Sequence, residues 1–270
     1  MKIKVYFVTY DNDLELNKTL RSFEDSGIKN YDYQITVINN FTVAKPLIET
    51  SLAVRVVENS TRPTFSTGHL ARNWNECLID GFVDVNSPKA DIVILCQNDV
   101  EFNKDIIDTL IECHKKYSFI QSGNGDSFHS YTVDAIKSVG LWDERFCNIG
   151  WQDCDYFLRQ YLYNKDGSSI NDHAHGRINN LLDHQFVNYQ KLSGFHRKDI
   201  NHLSSMKYHE VSMTAFIKKW GYGIPGMNWG ELDITADYVL KSPQWIMYPF
   251  FESKIPNLKN KNYINYEAQN

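Results

Sequence analysis

Between residues 140 and 159 the chain reads Gly140-Leu141-Trp142-Asp143-Glu144-Arg145-Phe146 and then Gly150-Trp151-Gln152-Asp153-Cys154-Asp155-Tyr156-Phe157-Leu158-Arg159. Asp153 falls on the first turn of a helix, directly behind a Gly-Trp segment. The residues alone leave two readings open. An acid at a helix N-terminus complements the dipole, and either Asp153 or Asp155 can serve as a cap. A carboxylate so placed can also face a pocket and take the proton of a bound hydroxyl.

A second group, Cys96-Gln97-Asn98-Asp99-Val100-Glu101, ends an apolar run in a polar cluster that holds a carboxylate. Hard divalent cations choose oxygen ligands and share them with phosphates, but a strand-to-helix turn capped by Asp99 or Asn103 has the same composition. A third, Thr67-Gly68-His69-Leu70-Ala71-Arg72-Asn73, is a Gly-led helix start whose Arg72 could face a diphosphate, or could be a surface arginine. Six histidines follow residue 170: His173, His175, His184, His196, His202 and His209. His173 and His175 lie in a polar stretch, whereas His184 follows the apolar pair Leu181-Leu182.

These groups need elements to hold them, and strand and helix signals alternate through the first two-thirds of the chain. Strands are expected at Ile3–Thr9, Tyr33–Ile38, Val54–Val57 and Asp91–Cys96, with another beginning at Phe119-Ile120. Helices are expected at Leu14–Glu24, Gly68–Phe82, with Leu70, Trp74, Cys77 and Leu78 on one face, and Ile106–Tyr117. The run Asp91–Cys96 has the continuous apolar character of a parallel strand buried on both sides. The alternation predicts an α/β fold with a Rossmann-like, mostly parallel sheet flanked by helices and right-handed crossovers. Ligands of such sheets bind beyond the carboxyl ends of the strands. Thr9-Tyr10-Asp11, Asn39-Asn40 and Gln97-Asn98-Asp99 each lie there. Later, short helices are expected at Val133–Val139, Gln152–Tyr163 and Met206–Trp220, and a strand at Asn180–Phe186. Residues 222–270, aromatic and broken by Pro and Gly, read as an extension packed on the domain.

Length and charge bound the rest. The chain has 270 residues, 42% hydrophobic and 23% charged, with a net charge of -5, so a core needs no staples and no basic run suits a polyanion. No nucleic-acid partner is expected. The five cysteines are odd in number and form no CxxC pair, so they read as reduced core thiols. No window approaches the ~20 apolar residues of a membrane span, so a cytoplasmic protein is expected, at most peripheral to the membrane face.

The order of these pieces, more than any one of them, carries a resemblance. A strand ending in Thr-Tyr-Asp, a second ending in Asn-Asn, the Gly68…Ala71-Arg72-Asn73 helix, a strand ending in Gln-Asn-Asp, the Gly140–Arg159 block and Lys219-Trp220-Gly221 occur in that sequence. Residues 2–221 thereby resemble the GT-A glycosyltransferases of the inverting family 2 type, and the Gly-Trp-x-Asp segment is similar to the galactosyltransferase group. The resemblance implies a catalytic domain over 1–221, about 1–125 binding the nucleotide-sugar and about 126–221 the acceptor. It implies a UDP-, GDP- or dTDP-sugar donor held by Thr9, Tyr10, Asp11, Asn39, Arg72, Asn98 and Asp99. It implies a glycan or glycolipid acceptor at Trp151, Gln152 and Asp155, with Asp153 as general base. A Mn²⁺ or Mg²⁺ ion would sit at Asp99 and His184, with His202 in reserve. Two positions depart from the family: its D-x-D motif reads Gln97-Asn98-Asp99, and its Glu-Asp pair reads Gln152-Asp153. These departures favour one rival, a catalytically inactive glycosyltransferase-like binding protein; a retaining transferase on the same fold is another. A nucleotidyltransferase would carry a Gly-rich loop after the first strand, where this chain has Thr9-Tyr10-Asp11-Asn12-Asp13.

Overall fold

The computed structural model describes residues 1–41, 43–59, 70–122, 126–144, 146, 151–159 and 186–187. The first strand, β1 (Lys2–Thr9), is buried from Ile3 onward, as expected of an apolar run at the centre of a sheet. Around it stand β2 (Asp32–Asn39), β3 (Val54–Glu58), β4 (Ile92–Gln97), β6 (Phe119–Ser122) and β7 (Phe128–Tyr131). The six form one sheet in the order β3-β2-β1-β4-β7-β6. The pairs β1–β2, β2–β3 and β1–β4 are parallel, and β7 is antiparallel to both β4 and β6. A short β5 (Glu101–Phe102) pairs antiparallel with β8 (Phe186–Val187) in a separate two-stranded ladder.

Helices cover both faces because β1 alternates its side chains between two cores. Ile3, Val5 and Phe7 meet α1 (Asp13–Glu24) through Leu16, Leu20 and Phe23, and the same core holds Ile107 and Leu110 of α3 (Ile106–His114). Tyr6 and Val8 face the other core, with Trp74, Cys77 and Leu78 of α2, which is described over Leu70–Phe82. That core also takes Ala135, Ile136 and Val139 of α4 (Val133–Val139) and Tyr156 of α5 (Gln152–Arg159). Each fully buried large apolar side chain contributes about 1.5–3 kcal/mol. Gly81 lets α2 lie close on the sheet, since a Cβ there would stand 2.5 Å from Val93 Cγ2.

The α/β architecture and mostly parallel sheet agree with the expectation from sequence. One strand of the six-stranded sheet escaped it, as did the short β5. β7 reads Phe-His-Ser-Tyr, so hydropathy hides it, yet both polar residues are buried and bonded. His129 Nδ1 lies 3.0 Å from Tyr131 Oη, and Ser130 Oγ lies 2.8 Å from His114 Nε2. β7 also reverses direction, so the all-parallel alternation stops at β4. The helix expected to reach Tyr117 ends at His114, whose ring bonds the Tyr117 carbonyl at 2.9 Å and turns the chain toward β6. The helix expected over Met206–Trp220, the C-terminal extension and the Lys219-Trp220-Gly221 motif lie outside the described residues. Among the described residues no helix is long and apolar enough to cross a membrane.

Candidate functional site

Strand register sets the rim from which the site is built. Thr9 pairs with Asn39, Asn39 with Glu58, and Val8 with Gln97, so the carboxyl ends of β1, β2, β3 and β4 lie side by side. The chain leaves β1 toward β2 on one side and β4 lies on the other, which makes the β1/β4 boundary the switch point where such sheets open a crevice. Asn98 spans that boundary: its Nδ2 donates to Thr9 Oγ1 at 3.1 Å, and its backbone carbonyl accepts from Thr19 Oγ1 at 2.9 Å. Asp11 follows with φ 44, in the left-handed region that turns the chain off the strand. The Tyr10 ring meets Phe41 edge-on at 5.4 Å. Asn39 is committed to the loop after β2: its Nδ2 donates to the carbonyls of Phe41 (2.8 Å) and Ala44 (2.9 Å) and to Glu58 Oε2 (2.9 Å), while its Oδ1 accepts from Phe41 N. Beside it, Asn59 Nδ2 donates to Asn40 Oδ1 at 2.8 Å and Asn73 Oδ1 at 3.0 Å, tying the ends of β2 and β3 to α2.

On the other side of β4 a buried carboxylate gathers three elements. Asp126 Oδ1 accepts from Gln97 Nε2 at 2.8 Å, and its Oδ2 accepts from Trp74 Nε1 at 2.9 Å and Gln152 Nε2 at 3.2 Å. The end of β4, helix α2 and the first residue of α5 therefore meet on one group. The amides of Gln97 and Gln152 both donate to it. Burial, then the charge of Asp153, pushes the Asp126 carboxyl up to about 6 against the pull of its Trp74 and Gln152 bonds.

Asp153 is half-buried on the first turn of α5. Its Oδ1 accepts from Cys154 N at 2.9 Å. Burial raises its carboxyl above the ordinary range, opposed by that backbone bond. Trp151, immediately before, is buried and holds φ 69, an outlier for a bulky residue that costs about 1–3 kcal/mol and that its surroundings must enforce. Asp155 is fully buried, with its backbone N–H on the Trp151 carbonyl at 3.0 Å.

An aromatic wedge fixes α5 in place. Tyr156 stacks on Trp142 at 4.3 Å with the rings 3° from parallel, and its hydroxyl donates to the Gly140 carbonyl at 3.1 Å. Trp142 Nε1 donates to Tyr131 Oη at 3.1 Å, and that hydroxyl also bonds His129 Nδ1. An indole N–H is donor only, so the Tyr131 hydroxyl accepts from Trp142. Burial lowers the His129 ring to about 3, which keeps it neutral near pH 7. Asn75 pins the same loop to α2: it donates to the Trp142 carbonyl and to Glu144 Oε1, each at 2.9 Å, and accepts from Trp142 N at 2.8 Å. Glu144 Oε2 in turn accepts from Arg72 Nε at 3.3 Å, which holds the half-exposed guanidinium at the edge of α2.

Among the described residues no group of three or more His, Cys, Asp and Glu side chains stands ready to hold a metal ion. Asp99, buried two residues beyond β4, could offer one carboxylate to a hard cation. Gln97 and Asn98 are bonded elsewhere, and His184 and His202 lie outside the described residues. Sequence reasoning passed over Asp126, Trp74 and Asn75 as site residues. A signal for Asp126 did exist. Ser122-Gly123-Asn124-Gly125-Asp126 follows the strand beginning at Phe119, and the carboxyl-end rule applies to that strand as it does to β4.

No protein-family model matches the chain, and no curated protein matches it. Among solved structures, residues 1–349 of S. aureus TarS are similar at a TM-score of 0.42 and 11% identity over 60% of this chain and 56% of that one. The same portion in complex with UDP gives 0.43 and 11% over 60% and 55%. The mannosyltransferase PcManGT from Pyrobaculum calidifontis, in complex with GDP-Man and Mn²⁺, gives 0.35 and 11% over 53% and 47%. The chain spans about half the length of these structures.

Proposed function

We propose that this chain is a glycosyltransferase that moves a sugar from a nucleotide-sugar donor to a hydroxyl of a glycan or glycolipid acceptor, with inversion, and that Asp153 is its general base. The observation that carries the reading is the carboxylate of Asp126, which draws the start of α5 against the end of β4. Gln152, the neighbour of Asp153, is thereby tied to the end of β4, which supports a role for Asp153 near the strand ends where a parallel sheet binds ligands. The order of motifs over residues 2–221 supports it further.

In this reading Thr9, Tyr10, Asp11, Asn39, Arg72, Asn98 and Asp99 line the donor side, and Trp151, Gln152 and Asp155 the acceptor side. The acceptor oxygen forms its bond to the anomeric carbon as its proton passes to Asp153. The bond from that carbon to the diphosphate breaks, and the diphosphate leaves with the electron pair. Charge builds on the sugar ring as in other oxocarbenium-like displacements. A carboxyl raised by burial is a stronger base than an exposed one, and general-base help is typically worth ~10²–10⁴ in rate. A Mn²⁺ or Mg²⁺ ion held by Asp99 and His184, with His202 in reserve, would supply Lewis-acid neutralisation of the departing diphosphate. Arg72, fixed by Glu144, adds a cation on the same side.

A second reading has its own observation. The amides Gln97 and Gln152 take the places of two acids in the resembled family, which suits a protein that binds a sugar nucleotide without turning it over. Calorimetric titration with UDP, GDP and dTDP in Mn²⁺, followed by turnover of the corresponding sugar nucleotides with and without chelator, separates the two. Binding with turnover that chelator suppresses supports the transferase. Binding without turnover supports the second reading, and binding of none of the three overturns both.

A further inference from the structure

We propose that Asp126 is a positioning residue of this site, which turns the Gln152 amide so that its carbonyl oxygen is offered to a hydroxyl of the bound sugar. The inference rests on the glycosyl-transfer reading for its ligand and on hydrogen-bond logic for its geometry. Trp74 Nε1 can only donate, so Asp126 Oδ2 must accept from it at 2.9 Å. The same oxygen faces Gln152 Nε2 at 3.2 Å, so the amide must present its NH₂ group there. With Asp126 ionised the orientation of the amide is thereby fixed, and Oε1 turns away from the carboxylate. That oxygen is buried and meets no hydrogen-bond donor among the described residues.

A buried carbonyl without a donor is held at a cost in free energy, and a ligand hydroxyl removes that cost. Gln152 opens the helix that carries Asp153, and in the glycosyl-transfer reading the hydroxyl that Oε1 would accept is one of the acceptor sugar. Among the described residues, the groups that face Asp126 are the neutral donors Trp74 on α2, Gln97 on β4 and Gln152 on α5, and the carboxylate of Asp153, with the neutral ring of His129 against its backbone. Asp153 is the one among these named groups with a charge that opposes ionisation of Asp126, and the upward shift of its carboxyl to about 6 agrees with this packing.

Four variants of the full chain test the proposal: Asp126→Asn, Asp126→Ala, Gln152→Met and the Asp126→Ala/Gln152→Met pair. Asparagine keeps an oxygen where Trp74 and Gln152 donate and turns its NH₂ to Gln97, whose half-exposed amide can rotate to accept. It should keep turnover of the sugar nucleotide within about threefold, while Asp126→Ala and Gln152→Met each lose about tenfold to a hundredfold in kcat/KM with UDP affinity preserved. The pair should lose no more than the worse single variant, because both act through the same oxygen.

In the wild type, the Trp74 indole N–H resonance should titrate with a midpoint near about 6 and become flat in Asp126→Asn. Losses that multiply in the pair, an asparagine as damaging as alanine, or a wild-type indole that does not titrate would each overturn the proposal. A wild type that turns over no sugar nucleotide defeats the glycosyl-transfer reading instead. The indole titration then still decides whether Asp126 anchors the network.

Discussion

Trp74→Phe isolates the bond between α2 and the buried carboxylate, and its cost should depend on pH. The indole is fully buried and donates to Asp126 Oδ2 at 2.9 Å. Two terms add on removal. The lost ring atoms leave a gap whose cost, about 1–3 kcal/mol, does not change with pH. The lost hydrogen bond does change: a bond to a charged group is worth about 1.5–3 kcal/mol and a neutral one about 0.5–1.5 kcal/mol. The Asp126 carboxyl is raised from 3.8 to about 6 in the folded chain. Its contribution to stability is therefore full below pH about 4 and is lost as pH rises through about 6. Removing the indole donor raises that carboxyl further and deepens the loss. Urea unfolding of both proteins at pH 5 and pH 8 should then give a destabilisation about 1 kcal/mol larger at pH 8, equivalent to somewhat under one pKa unit. An equal cost at the two pH values, or a larger cost at pH 5, would refute the assignment of the Asp126 charge to this bond.

Trp142→Ala removes the ring stacked on Tyr156 and should cost about 3–5 kcal/mol, read as a lowered urea midpoint, and should reduce turnover by releasing α5. Gly81→Ala drives a Cβ to 2.5 Å from Val93 Cγ2, so α2 must shift off the sheet at about 1–3 kcal/mol, read by the same unfolding measurement. Asn75→Ala frees the loop of residues 140–144 from α2 and leaves the Trp142 N–H without its acceptor. A loss of about 2–3 kcal/mol is expected, together with a raised KM as Arg72 loses the support of Glu144.

The sheet was legible because its central strands are long apolar runs and its helices carry clear faces. Ile3–Thr9 and the Trp74–Leu78 face are examples, each buried where its pattern put it. β7 was not, since His129 and Ser130 look like loop residues until their partners Tyr131 and His114 are known, and those contacts cross elements. The place of Asp153 followed from local pattern: an acid on a first turn behind Gly-Trp. The role of Asp126 could not follow, because its three donors come from residues 29, 52 and 26 positions away in the chain. Gln97 and Gln152 read as losses when each is compared with an acid of the family that the sequence resembles. In the folded chain they are two donors to one carboxylate, an arrangement that pairwise comparison of positions does not reveal.

The central claim is that the carboxylate of Asp153 takes the acceptor proton. The most direct measurement is sugar-nucleotide turnover of Asp153→Asn beside calorimetric titration of the same variant with the nucleoside diphosphate. Turnover should fall by ~10²–10⁴ while nucleotide affinity stays within about threefold. Retained turnover, or loss of binding in step with loss of turnover, would contradict the account.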